Sequence, residues 1–437
     1  MAGSVHDQAH LAGLFDPGEV ARLFSATAEI RAMLLVEGTL AKVQGAVGVI
    51  PEISAAAIHR ASLEVQLDPA ALSGPTAENG VSVPALVSAF RDAMQAPEHA
   101  QYIHWGATSQ DIIDTGLMLR LRQAAALVAE DVAGILSSLA GLADAHAETP
   151  MAARTYGQQA APTSFGAVVA SWGWPLLSAR RVLGALKFPV SLSGAVGTGS
   201  ALGPDPASLR AEMAAALNLA DPRRSWHTDR TPVLEIAAAM VAVATALGKM
   251  GEDLIAMTQS ELGEITLGGA GASSTMPQKQ NPVGPSLLVT LARVLHGFEA
   301  TLKGAAMHRF QRDGAAWFTE WMVLPQIVLG AATAARRGRI LVGDLRPDPA
   351  RMAATLGSDG LLFSETLSFA LAARMPRPEA QTAVKSLAAK VRDSGTPLPD
   401  LARSEWPDLP ADLFTPEAAL GTGPAEARAF AKGVRAG

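Results

Sequence analysis

Ser273, Ser274, Lys279 and Asn281 stand close together in the stretch "GGAGASSTMPQKQNP", Gly268–Pro282. A serine hydroxyl is a poor base. Ser273 can move a proton only where a cation or backbone N–H groups hold its alkoxide. Lys279, six residues on, supplies such a charge, and Asn281 adds a neutral donor for a carboxylate. The glycines give the stretch freedom to close over a substrate and exclude water. Two other readings compete. A phosphate cradle needs Gly-Lys-Ser/Thr after its glycines and a strand before them. Here Lys279 lies between Gln278 and Gln280, and helical sequence comes before the glycines, so that reading fails on both counts. A solvated linker between helices would not need two serines, Met-Pro, Lys and Asn-Pro in this order.

The elements around the stretch read as long helices. "EIRAMLLVEGTLAKVQGA" (29–46) has an amphipathic pattern that ends at the break 48–51. A looser polar region follows to about Gly106. Ser109 is placed to cap a helix that stops before Pro150. Further helices are expected over 162–187, 231–262, 282–307 and 316–343. All exceed the usual helix of about 11–12 residues, so they predict an elongated all-α bundle. From about Pro347 the helices shorten, and 397–424 is rich in proline. The expected division is an N-terminal helical domain over 1–108, a central long-helix bundle over 109–346 and a small C-terminal helical domain over 347–437.

The 437-residue chain is 49% hydrophobic and only 17% charged, against a usual charged share of roughly 25%. It must bury much surface in its own core or against copies of itself. A net charge of −6 points away from nucleic acid as a partner. Cysteine is absent, so no disulfide or thiolate chemistry is available. The N-terminus lacks a basic region followed by an apolar one. The strongest apolar run, 236–247, is shorter than the roughly 20 residues that span a bilayer. The expectation is a cytoplasmic protein with no membrane segment. The nine histidines form no HExxH pair and no carboxylate cluster suggests a metal, so neither metal nor cofactor is expected.

"SSTMPQKQNP" resembles the signature loop of the fumarase/aspartase superfamily. "HWGATSQDIIDTG" (His104–Gly116), "RTYGQQAAPTSFG" (Arg154–Gly166), "SLSGAVGTGSALG" (Ser191–Gly203) and "QRDGAAWFTEW" (Gln311–Trp321) fit the same family in order. The resemblance runs from about Glu29 to about Ala372. It implies a three-domain α-helical protomer, a homotetramer built on a central bundle, and active sites shared among subunits. It also implies β-elimination, or its reverse, on a small polycarboxylate substrate. Such chemistry passes through a dianionic aci-carboxylate, which fixed cations and N–H donors must hold. By resemblance Ser273, the first of the serine pair, is the proton-transfer group. Lys279 and Asn281 grip a carboxylate, and His104, Thr108, Ser109, Arg154, Thr155, Gln158 and Arg312 bind substrate. Thr108 and Ser109 stand where a long helix begins, and its free N–H groups can hold an anion. Ser109 can equally be a plain cap. Arg154, Thr155, Gln158 and Arg312, each taken alone, read as ordinary structural polar residues.

Within the superfamily, "HWGATSQDIIDTG" and "GAAWFTEW" are most similar to the 3-carboxy-cis,cis-muconate cycloisomerases. Relatives that eliminate an amine or water carry histidine after Arg-Thr, where this chain has Tyr156. A leaving amine or hydroxide needs a proton. A leaving carboxylate, with a pKa near ~4, does not. Loss of the histidine is therefore tolerable for lactone chemistry. His104 and His227 stay open as alternative acids. Another lyase of the superfamily and a catalytically silent structural oligomer remain the competing readings.

Overall fold

The computed structural model describes residues 4–268, 271–272, 276 and 279–436. The chain is dominated by helices, as the long periodic segments predict. It divides into two compact units, each assembled from three stretches of chain. One unit is Met1–Asp131, Ala179–Thr245 and Leu291–Arg336; the other is Val132–Ser178, Ala246–Thr290 and Arg337–Gly437.

In the first unit the helix Ala26–Ala46 is capped by Ser25, whose Oγ accepts the Ala28 N–H. Its inner face carries Met33, Leu34 and Leu40, which pack with Ile58, Leu86, Phe90, Ile112 and Trp317 in one core. Full burial of each such aliphatic or Phe side chain contributes about 1.5–3 kcal/mol. The region expected to be loose up to Gly106 is in fact helical over Glu52–Glu64, Ser73–Asn79 and Val83–Met94. The helix Glu52–Glu64 buries Ser54, Ala55, Ile58 and Ser62. These mostly small residues carry little hydrophobic signal, so the sequence pattern missed it.

The second unit holds a β-hairpin that the sequence did not suggest. Strands Pro150–Thr155 and Gln158–Ser164 pair antiparallel, with Thr155 opposite Gln158. The two turn residues, Tyr156 (φ 54°) and Gly157 (φ 74°), are both left-handed. That is the two-residue turn whose twist matches a hairpin. The next helix is Phe165–Ala185, so the expected helical start at 162 is three residues early. After Pro347 the short helices pack around Leu367, Leu371, Leu387 and Leu398.

The remaining long helices are Ser109–Ala145, Thr231–Met257, Val283–Ala305 and Gly314–Gly343, close to the expected spans. Two of them, Ser109–Ala145 and Thr231–Met257, are long and apolar enough to cross a bilayer by length and composition. The most apolar window of Thr231–Met257 is 67% buried inside the protein, as befits a core helix.

Candidate functional site

The start of the Ser109–Ala145 helix organises the first unit. The helix begins at Ser109 itself, so Thr108 rather than Ser109 takes the capping position. Asp111 reaches back so that its Oδ2 accepts the Thr108 N–H at 3.1 Å, the reciprocal half of a capping box. The same carboxylate accepts the backbone N–H groups of Ser193 and Gly194, both at 2.9 Å, and the Ser191 hydroxyl at 3.3 Å. His227 Nε2 donates to Asp111 Oδ1 at 2.8 Å. Asp111 is fully buried, and it ties the helix start to the 191–194 loop. Gly106 makes this approach possible. Its φ is +73°, and a Cβ there would stand 2.2 Å from the Ala201 carbonyl oxygen.

Arg312 meets this helix start. Its Nε donates to Gln110 Oε1 at 2.9 Å, and its Nη2 lies within reach of Thr108 Oγ1 (3.3 Å) and the Ala195 carbonyl (3.2 Å). None of these partners is a carboxylate, so the Arg312 charge adds to the positive end of the helix. Below it, Arg230 is clamped between two buried carboxylates, Asp114 and Glu320, with contacts of 2.6–3.0 Å. Burial works against its charge, but the two carboxylates outweigh burial and hold the guanidinium above its ordinary value. Glu320 is in turn held above the usual carboxylate range, chiefly by burial.

His104, in a left-handed backbone conformation, sets its Nδ1 2.7 Å from Glu37 Oε1. Burial alone would depress the imidazole. The Glu37 carboxylate, through charge and hydrogen bond, and Asp111 more distantly, outweigh burial and Arg91 and raise His104 above its ordinary value. Glu37 is itself buried, and its Oε2 has no hydrogen-bond partner among the described residues. His227 is spent on Asp111 through Nε2, and its Nδ1 is buried without a described partner.

In the second unit Arg154 forms a two-pronged pair with buried Glu264, at 2.9 and 2.7 Å, and the Thr355 hydroxyl also donates to Glu264. Arg154, Gln158 and Gln159 line a cavity of about 830 Å³. Thr155 closes the hairpin opposite Gln158, and Tyr156 projects fully exposed from the turn. A small ladder pairs Gly271 opposite Asn281 and Ala272 opposite Gln280, the residues that flank the serine stretch in sequence. Lys279 is exposed, and its N–H donates to the Met276 carbonyl. Ser273 and Ser274 lie outside the described residues.

The structure thus brings Thr108, Ser109 and Arg312 together, with His104 on the loop just before them. It gives Arg154, Thr155 and Gln158 to one hairpin. The sequence reading missed Asp111, Glu37, Gln110, Arg230 and Glu264. A signal for Asp111 and Asp114 was present: two acids three residues apart flank the apolar pair Ile112–Ile113 at the helix start, and both prove fully buried.

Long helices, a capped helix start facing arginine and a two-residue ladder of Gly271–Ala272 with Gln280–Asn281 are the frame of a protein of the lyase class. The family model described as Lyase matches residues 20–297, and the chain belongs to that family, within the fumarase/aspartase superfamily. The chain is 36% identical to the 3-carboxy-cis,cis-muconate cycloisomerase of Pseudomonas aeruginosa, over 83% of this chain and 81% of that one. It is 34% identical to the nitrosuccinate lyase of Streptomyces davaonensis, over 90% of this chain and 86% of that one. Its fold matches the crystal structure of the 3-carboxy-cis,cis-muconate lactonizing enzyme from Pseudomonas putida with a TM-score of 0.88 at 30% identity, covering 95% and 97% of the two chains.

Proposed function

We propose that this enzyme is a cycloisomerase that converts 3-carboxy-cis,cis-muconate to 4-carboxymuconolactone in the breakdown of aromatic acids by way of protocatechuate. One substrate carboxylate oxygen adds across the conjugated diene and forms the ring C–O bond. The electron pair moves to the carbon next to another carboxylate, giving an aci-carboxylate, which takes up one proton. Ser273 is the group that exchanges this proton. Lys279 and Asn281 grip a carboxylate, and His104, Thr108, Ser109, Arg154, Thr155, Gln158 and Arg312 hold the remainder. A raised His104 and an Arg312 with no carboxylate partner among the described residues suit a polyanionic substrate.

The observation that supports this reading most is Tyr156 at the turn after Arg154 and Thr155. A lactone opens to a carboxylate, which leaves without a proton, so no histidine is needed at that place. The cycloisomerases of Pseudomonas aeruginosa and Pseudomonas putida, 36% and 35% identical to this chain, point the same way. A second reading comes from the nitrosuccinate lyase relative, 34% identical over 90% of the chain. Nitrite is also a weak base, so Tyr156 is compatible with that elimination too. Incubation with 3-carboxy-cis,cis-muconate, and separately with substituted succinates that release fumarate, separates the two readings by product.

We further propose a cytoplasmic homotetramer with active sites shared between subunits, built on the three-part division 1–108, 109–346 and 347–437. Support comes from large apolar side chains left exposed in the single chain, among them Met307, Phe310 and Met322.

A further inference from the structure

A second cationic pocket lies in the first unit, away from the residues assigned above. It encloses about 510 Å³ between the helices Ala26–Ala46, Glu52–Glu64, Ser109–Ala145 and Pro206–Leu217. That volume is in the range of small-molecule sites. Arg31, Lys42, His59, Arg120 and Arg122 line it, and no acidic side chain does. Along the helix, Arg120 is about 17 Å from Ser109 at a rise of about 1.5 Å per residue.

Of the four Arg and Lys charges here, one, Arg120, has an ion pair among the described residues. Among the described residues Arg31 donates to the carbonyls of Ser62, Leu63 and Val65, at the end of the helix Glu52–Glu64. Arg122 donates to the carbonyls of Leu217 and Asn218. Lys42 is exposed and has no ion pair among the described residues. Arg120 is 7% exposed, donates to the Leu23 carbonyl at 3.3 Å and forms one salt bridge, to Glu29 at 3.6 Å. Its Nε is buried without a hydrogen-bond partner among the described residues. A guanidinium this buried, with one carboxylate at 3.6 Å and an unpartnered Nε, favours further negative charge nearby. Burial, and then Lys42, hold His59 below its ordinary value. The walls are apolar, made by Leu35, Leu63, Leu119 and Leu217.

We propose that this pocket binds a small organic anion with an apolar body, of the aromatic carboxylate class, whose carboxylate sits against Arg120 and Lys42 while its ring lies on the leucines. A bare inorganic anion would leave the leucines uncovered, and a neutral apolar molecule would leave Lys42, exposed and without an ion pair among the described residues, uncompensated. The site is separate from the proposed reaction and does not depend on it.

Isothermal titration of the full chain with benzoate tests this, with inorganic phosphate and benzyl alcohol as probes that lack the ring and the charge. The expected result is saturable benzoate binding, one per chain, with a Kd of about 1 mM or tighter. Phosphate and benzyl alcohol should each bind at least about tenfold more weakly. Lys42→Glu and Leu63→Glu, both at exposed positions, should keep the melting temperature and each weaken benzoate about tenfold or more. Absent benzoate binding, phosphate binding as tight as benzoate, or unchanged benzoate affinity in either folded variant would overturn the proposal.

Discussion

Arg312 Nη2 lies 3.3 Å from Thr108 Oγ1, joining residues 204 positions apart at the start of the longest helix. A guanidinium fixed there by Gln110 and the Ala195 carbonyl presents a rigid fork beside free helix N–H groups. Replacing it with Arg312→Lys keeps the charge but loses the fork. The expected outcome is a rise in KM of about 10–100-fold, corresponding to the ~1.5–3 kcal/mol of a charged hydrogen bond, with the fold unchanged. Steady-state kinetics beside circular dichroism checks it. An unaltered KM removes Arg312 from substrate binding.

Asp111 gathers donors from Thr108, Ser191, Ser193, Gly194 and His227 in a buried site. Asp111→Asn turns one acceptor oxygen into a donor that faces other donors. The variant should lose about 3 kcal/mol of stability, measured by urea unfolding. A loss within the ~0.5 kcal/mol of an ordinary surface change would mean that the helix start is held by other contacts.

His104 is raised by Glu37. A group whose folded pKa is raised contributes stability that is complete below its unfolded value of about 6.5 and is lost as pH rises through the folded value. Glu37→Gln should bring the His104 titration, followed by NMR of its imidazole protons, back down. The stability gap between wild type and variant should narrow from acidic toward alkaline pH. A His104 titration that does not move in Glu37→Gln would break the link.

Tyr156 stands fully exposed on a two-residue turn. If the leaving group needs no proton, Tyr156→Phe should keep kcat within a few-fold. General acid catalysis contributes about 10²–10⁴-fold, so a drop of that size would show that the phenol delivers a proton and would contradict lactone chemistry.

The long helices were legible in the sequence because their apolar periodicity runs for many turns, as in Thr231–Met257. The hairpin Pro150–Ser164 was not. Its strands carry mostly Ala, Gln and Pro, with Thr155 and Thr163 as their β-branched residues, and only Tyr156–Gly157 marks its turn. The motifs told which segments carry chemistry but not what holds them. Arg154 finds Glu264 across 110 positions, and His227 finds Asp111 across 116, pairings that no local spacing encodes. The two-unit division was also hidden. The boundary at Asp131 and Val132 falls inside the Ser109–Ala145 helix, where no change of composition marks it.

The central claim is tested most directly by adding 3-carboxy-cis,cis-muconate to the purified enzyme and following the conjugated-diene absorbance, with Ser273→Ala alongside. The account predicts loss of the diene with 4-carboxymuconolactone as product, and a Ser273→Ala rate lower by about 10²–10⁴-fold in a folded protein. A diene signal unchanged by folded wild-type enzyme, or full activity in Ser273→Ala, would contradict it.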